Sequence, residues 1–215
     1  MKNRFDLIIF DWDGTLINTI DWIVRCLQNA AVMCQCSVPE EQAVKDIIGL
    51  SIENAVNTLF PEADPWTHKQ LVHHYSQIFF SRQLSREDLF AGVYDMLVEL
   101  KQRGYRLAVA TGKGRAGLRQ ALDETGTEVL FCITRCADET SSKPNPMMLQ
   151  EILAHTGVSA ERTLMVGDSI HDLQMAANAG IASVGVSCGA HSAEILQQYK
   201  PLMCLPQTSY LLNLL

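Results

Sequence analysis

The chain contains no uninterrupted apolar run near the roughly 20 residues that a membrane-spanning helix needs. Its short apolar amino-terminal segment is bracketed by Asp6 and Asp11, with no small-residue cleavage site after it, which argues against a signal peptide. A surplus of cations is also missing. With 17 Lys and Arg against 24 Asp and Glu, the net charge is -7 at pH 7, so the clustered bases that hold a nucleic-acid backbone are lacking. No Cys-x-x-Cys pair occurs, and the seven cysteines are odd in number. This reads as buried, reduced thiols in a cytoplasmic protein rather than a disulfide framework. Cys132 and Cys136 invite a zinc reading, but no second ligand pair accompanies them. Internal repeats and low-complexity stretches are absent too. What remains is a chain of 215 residues, 47% hydrophobic and 19% charged, long enough for one core and a smaller lobe.

The organisation is uneven along the chain. Leu7 to Phe10 form an apolar run that reads as a buried strand. Residues 16–88 then show helical periodicity and no convincing strand: 19–36, two shorter stretches within 40–60 broken at Gly49-Leu50-Ser51, and 66–82. Ser51 is placed to cap the second short stretch. Tyr75, Phe79 and Phe80 read as that lobe's own core, and His68, His73 and His74 as a solvated face. From residue 89 helices and strands alternate. Helices are predicted at 92–103, 114–124, 169–179 and from Pro144 onward. Strands are predicted at 105–111, 128–134, 163–167, 181–186 and weakly near 202–205. Such alternation predicts a parallel sheet covered on both faces, with ligands bound beyond the carboxyl ends of the strands.

Polar signals fall at those ends. Asp11 and Asp13 follow the first strand, with Gly14 allowing the chain to turn. Two neighbouring acids that lose water repel each other, and a cation keeps both ionised. Hard oxygen ligands favour Mg²⁺. Thr111 ends the strand at 105–111, Lys143 precedes a helix, and Asp168 follows the strand at 163–167 with Asp172 four residues on. Convergence at one sheet edge would gather a nucleophile, a metal site, a charge neutraliser and a hydroxyl donor.

In this order and spacing, Asp11-Trp12-Asp13-Gly14-Thr15, Thr111, Lys143 and Gly167-Asp168-Ser169 with Asp172 resemble the four motifs of the haloacid dehalogenase-like hydrolases. The likeness runs along nearly the whole chain. It implies an α/β Rossmann-like core built from residues 1–15 and 89–215, and a helical cap at 16–88 inserted between the first two core strands. It also implies a phosphatase of the phosphoglycolate phosphatase-like kind, acting with Mg²⁺ on a small phosphorylated metabolite as a monomer or homodimer, without nucleic-acid or membrane partners. In that scheme Asp11 is the nucleophile that forms an aspartyl-phosphate. Asp13 is the general acid and base, its backbone carbonyl facing the metal. Asp168 and Asp172 complete the metal site with Asp11 and Asp13, and Thr111 and Lys143 hold the phosphoryl oxygens. Backbone N–H groups from Trp12 to Gly14 would add donors. Gly112 beside Thr111, and Ser51 in the cap loop, are expected to reach the substrate, with Lys113 a second phosphate-facing candidate. Asp13 separates this chain from dehalogenase and phosphonatase relatives, which lack an acid there. The alternatives are a phosphosugar mutase, disfavoured because no Arg follows Gly49 to Ser51, and a non-catalytic phosphate-binding or signalling module.

Overall fold

In a computed structural model, residues 4–215 are described. Residues 1–3, which the sequence reading assigns to the core segment, lie outside the described residues. Six strands make one parallel sheet in the order β3-β2-β1-β4-β5-β6. β1 (Leu7–Phe10) is buried throughout, as a central strand covered on both faces must be. It pairs with β2 (Arg106–Thr111) on one side and β4 (Thr163–Gly167) on the other. β3 (Ile133–Cys136) flanks β2, while β5 (Ala182–Val186) and β6 (Cys204–Leu205) extend the opposite edge. The strand order reverses at β1, which opens a crevice at the carboxyl ends of β1, β2 and β4, the usual ligand position in such sheets.

The pleat sends alternate β1 residues to different cores. Ile8 and Phe10 join one cluster with Met96 and Leu97 of α5 (Val93–Gln102) and Leu118 of α6 (Arg115–Thr125). Leu7 and Ile9 join another with Ile152 of α7 (Met147–Thr156) and Met175 of α8 (Ile170–Asn178). A short helix, α9 (Ala193–Gln197), packs on β5 and β6.

Between β1 and α5 lies a helical lobe of α1 (Ile20–Met33), α2 (Glu41–Ile47), α3 (Ile52–Leu59) and α4 (Pro65–Phe79). It has its own cluster, centred on Leu27, Ala30, Val44, Val56 and Leu71. Pro65 and Asp64 start α4 cleanly, the Asp64 carboxylate accepting from the amides of Trp66 and Thr67. The chain leaves and re-enters the sheet through two segments that pair with each other. Asn18 N–H donates to Asp88 O at 2.8 Å, and Phe90 N–H donates to Leu16 O at 3.0 Å. No described helix is long and apolar enough to cross a membrane.

Two predicted boundaries move. Residues 128–130 form a 3₁₀ turn and the strand begins at Ile133; Val129 points outward, 75% exposed, so the apolar run there does not mark a buried strand. The helix expected from Pro144 starts at Met147, whose amide is held by Asn145 Oδ1 at 3.0 Å.

The lobe rests directly on the sheet rim. Ser51 N–H donates to Ser142 Oγ at 2.8 Å, and His171 Nε2 meets Asp46 O at 2.9 Å. At Gly112 a Cβ would lie 2.4 Å from the carbonyl oxygens of both Gly49 and Leu50. The Gly112→Ala variant is expected to keep the sheet but push this loop away, at a strain of about 1–3 kcal/mol. Hydrogen exchange over residues 48–51 should rise on the order of tenfold. Unchanged exchange there would contradict the close seating.

Candidate active site

Asp11 is fixed by the sheet itself. Its N–H donates to Val166 O at 2.9 Å, so the β1–β4 ladder runs one residue past the strand before the chain turns off. The turn closes through Leu16 N–H to Trp12 O and Gly14 N–H to Ile17 O, each 2.9 Å. The Gly14 amide is thus already engaged, and it does not serve as the free donor expected of it. Gly14 meets two demands at once: its φ is +78°, and a Cβ would lie 2.2 Å from Asp168 Oδ2.

Three carboxylates meet here. One oxygen each from Asp11, Asp168 and Asp172 lies within 4.8 Å of the others, and all three residues are buried. Asp168 leaves the end of β4 and is held at both oxygens, by the Thr15 hydroxyl at 2.8 Å and the Ala190 amide at 2.7 Å. Asp172 occupies the third position of α8 and forms a capping box with Ser169, whose Oγ donates to Asp172 Oδ2 at 2.6 Å. Lys143 joins the group from the loop before α7. Its Nζ lies 2.7 Å from Asp11 Oδ1 and 2.6 Å from Asp172 Oδ1, with no exposed side-chain surface.

The electrostatics follow from crowding without water. Burial, then the charges of Asp172 and Asp168, push the Asp11 carboxyl well above its usual range, against the pull of Lys143. Asp168 is pushed up to about 7, by burial first and Asp172 next. Burial pulls Lys143 down, but the Asp11 and Asp172 carboxylates more than reverse this and hold its ammonium charged. A buried, all-oxygen set with surplus negative charge fits a hard dication such as Mg²⁺.

Asp13 stands apart from the three. Its Oδ1 accepts from the Thr19 hydroxyl at 2.6 Å, and its Oδ2 lies 3.0 Å from Lys113 Nζ. The Asp13 carboxylate, expected among the metal ligands, is not part of the buried acid cluster and is turned to Thr19 and Lys113 instead. Lys113 also sits over the Phe79 ring, 4.1 Å from the centroid. Thr111 is buried at the end of β2, its Oγ1 accepting from Lys113 N–H at 3.2 Å. A cavity of about 240 Å³ opens over Asp11, Asp13, Thr111, Gly112 and Lys113.

Several expectations need correction. Ser51 does not line this cavity, whereas its neighbours Gly49, Leu50 and Ile52 do. Its hydroxyl oxygen accepts from Asn54 N–H at 3.3 Å and caps α3. Tyr75, Phe79 and Phe80 are more than a core, because all three face the cavity. Lys113, the second phosphate-facing candidate, is paired with Asp13 inside the site. Arg115 braces the rim by pairing with Glu139 and the Thr134 hydroxyl. Trp12 is fully buried against Phe131, away from the cavity. Sequence reasoning missed Thr19, which a helix-start threonine did not betray, and Gly189, where a Cβ would lie 2.1 Å from Asp168 Oδ2.

The raised Asp168 carboxyl sets a pH dependence. Between the ordinary carboxylate range and about 7, the folded metal-free protein holds a proton that the unfolded chain has released. Stability from this group is full below that range and is lost as pH rises through about 7. In chelator, wild type should therefore lose stability relative to Asp168→Asn as pH rises from about 5 to about 8. Saturating Mg²⁺ should restore the wild type alone. Parallel denaturation curves for the two proteins, with and without the ion, would contradict this arrangement. Gly189→Ala should displace Asp168 and weaken the Mg²⁺-dependent stabilisation by about 1–3 kcal/mol, read as a smaller ion-induced melting shift.

Comparison with known proteins agrees with this geometry. The probable phosphatase IndB of Dickeya dadantii is 34% identical over 201 residues, covering 91% of this chain and 86% of that protein. The pyrophosphatase PpaX of Bacillus cereus is 29% identical over 213 residues, covering 99% and 97%. The crystal structure of a predicted phosphoglycolate phosphatase from Haemophilus somnus superposes with a TM-score of 0.85 at 25% identity, covering 100% of this chain and 99% of that one. The profile of the haloacid dehalogenase-like hydrolases matches residues 8–186. With its four motifs gathered on one parallel sheet, the chain belongs to the haloacid dehalogenase-like hydrolases, and its full-length relatives are named as phosphatases.

Proposed function

We propose that this hydrolase is a Mg²⁺-dependent phosphatase that cleaves a small phosphorylated metabolite through an aspartyl-phosphate on Asp11. The observation that carries this reading is the meeting of Asp11, Asp168 and Asp172 around Lys143 at the carboxyl rim of the sheet. Asp11, Asp168 and Asp172 would hold Mg²⁺, with the Asp13 backbone carbonyl as a further ligand. When bound, the ion supplies positive charge to the phosphoryl oxygens.

The residues divide the work. An Asp11 carboxylate oxygen attacks phosphorus, and the ester P–O bond breaks. The departing oxygen takes a proton from Asp13. A water then gives a proton to Asp13 and attacks the acyl phosphate, so orthophosphate leaves and the Asp11 carboxylate returns. Thr111 and Lys143 steady the phosphoryl oxygens, and Lys143 together with the bound cation would favour the ionised Asp11 carboxylate that attacks. Thr19 and Lys113 aim the Asp13 carboxyl. Residues 16–88 act as a cap over a core of 1–15 and 89–215, and their paired linkers serve as its hinge, letting water be excluded during the reaction. The seven free cysteines support a cytoplasmic setting, and the enzyme acts as a monomer or homodimer. The mutase alternative lacks the cap arginine, and a complete acid set weighs against a merely phosphate-binding module.

Phosphate release from p-nitrophenyl phosphate should require Mg²⁺. Asp11→Asn should lower kcat at least about 1,000-fold while leaving the melting temperature near that of wild type. Asp13→Asn should lose about 100- to 10,000-fold on alkyl esters and less on aryl esters, whose leaving groups need no proton. Turnover by Asp11→Asn near the wild-type rate would refute the nucleophile, and equal losses across the two ester classes would refute the acid.

A further inference from the structure

The cavity has two unlike ends. Its floor carries Asp11, Asp13, Thr111 and Lys113, whereas the wall supplied by the helical lobe is carbon, including Ile23, Leu27, Ile47, Ile52, Phe79 and Phe80. Lys113 is the one Lys, Arg or His among the lining residues, and its Nζ is already paired with Asp13 at 3.0 Å. Ser76 donates its hydroxyl to Val72 O at 2.8 Å within α4, so its proton is spent. Tyr75 contributes a phenol beside stacked rings, with Tyr75 and Phe79 centroids 5.6 Å apart and Phe79 edge-on to Phe80 at 5.7 Å.

This wall sets what the leaving group can be. A second carboxylate or phosphate would be desolvated with no free cation to meet it, and with Asp13 and Asp138 nearby. Along the lobe's wall a polyol would find little beyond the Tyr75 phenol, so most of its buried hydroxyls would go unpaired at a cost near what its contacts gain. An apolar ring gains from burial and from aromatic contact. The size agrees: an apolar cavity of roughly 150 Å³ takes a benzene ring, and this one measures about 240 Å³ with the phosphoryl floor included.

We propose that the ester cleaved best carries an uncharged, apolar, ring-sized leaving group, a monophosphate of an aromatic or arylalkyl alcohol, rather than a second anion or a polyol. The proposal rests on the phosphatase reading for its chemistry, but the wall can be tested apart from turnover.

Benzyl phosphate, 2-phosphoglycolate and glycerol phosphate are all alkyl esters, so leaving-oxygen basicity is held roughly constant. With Mg²⁺ present, kcat/KM should favour benzyl phosphate by on the order of 100-fold. The non-hydrolysable benzylphosphonate should bind more tightly than phosphonoacetate by a similar factor in calorimetry. Ile52 is only partly buried at the start of α3, and Ile52→Lys should narrow both preferences at least about tenfold in protein whose melting curve matches wild type. Equal or better turnover of 2-phosphoglycolate or glycerol phosphate would overturn the apolar assignment and leave the phosphatase reading standing. No turnover of any ester, with benzylphosphonate still bound preferentially, would overturn the phosphatase reading and uphold the apolar wall. No turnover of any ester, together with equal binding of the two phosphonates, would sink both readings.

Discussion

The Lys143 ammonium lies between Asp11 and Asp172, at 2.7 and 2.6 Å, and the character of the site follows from the charge it leaves unbalanced. One cation stands against three carboxylates whose oxygens gather within 4.8 Å. At an effective dielectric near 20, like charges about 4 Å apart repel by about 4 kcal/mol, and burial has removed the water that would soften this. The fold answers with directed donors: the Thr15 hydroxyl and Ala190 amide on Asp168, and Ser169 on Asp172. Those donors orient the acids but do not neutralise them. Asp11 and Asp168 accordingly sit far above the usual carboxylate range. A hard dication would discharge this repulsion, and the chain leaves Asp168 unobstructed by placing glycine at 14 and 189, where any Cβ would strike it.

The second organising contact joins the sheet to the lobe. Lys113 reaches Asp13 with its ammonium and covers the Phe79 ring. One residue from the β2–α6 turn thereby touches both the Asp13 carboxylate on the floor and an aromatic of the wall. The rim loop at Gly49 and Leu50 lies against Gly112 so closely that a methyl group would not fit. Floor chemistry and wall composition are therefore held in one enclosure rather than in two independent parts. The two faces contrast, charged below and carbon above, which gives the cavity two chemically distinct ends.

Much of this was legible in the sequence, for reasons that are physical. Strand β1 announces itself because a strand buried on both faces must be apolar along its length, and the abrupt switch to Asp11 and Asp13 marks where it meets the crevice. The order of Thr111, Lys143 and Asp168 could be read because each follows or precedes an element with a clear period. Other features were hidden. Val129 and Leu130 imitate a strand but belong to a turn, since composition does not reveal which face meets solvent. Ser51 is a capping residue and a polar loop residue by the same letter, and only geometry shows its oxygen committed to Asn54. Tyr75, Phe79 and Phe80 have the spacing of a packed helix face, and an apolar cavity wall has that spacing too. The close approach at Gly189 has no sequence signature at all, because it depends on a residue 21 positions away in the chain.

The central claim is that the Asp11, Asp168 and Asp172 carboxylates, with Lys143 beside them, form one cation site. Crystals grown with Mn²⁺ in place of Mg²⁺ test it most directly, through anomalous scattering at the manganese edge. The account predicts a single strong anomalous peak within coordination distance of Asp11 and Asp168, with Lys143 still on Asp11. Density lacking a peak there at saturating ion, or showing those carboxylates turned into separate regions, would contradict it.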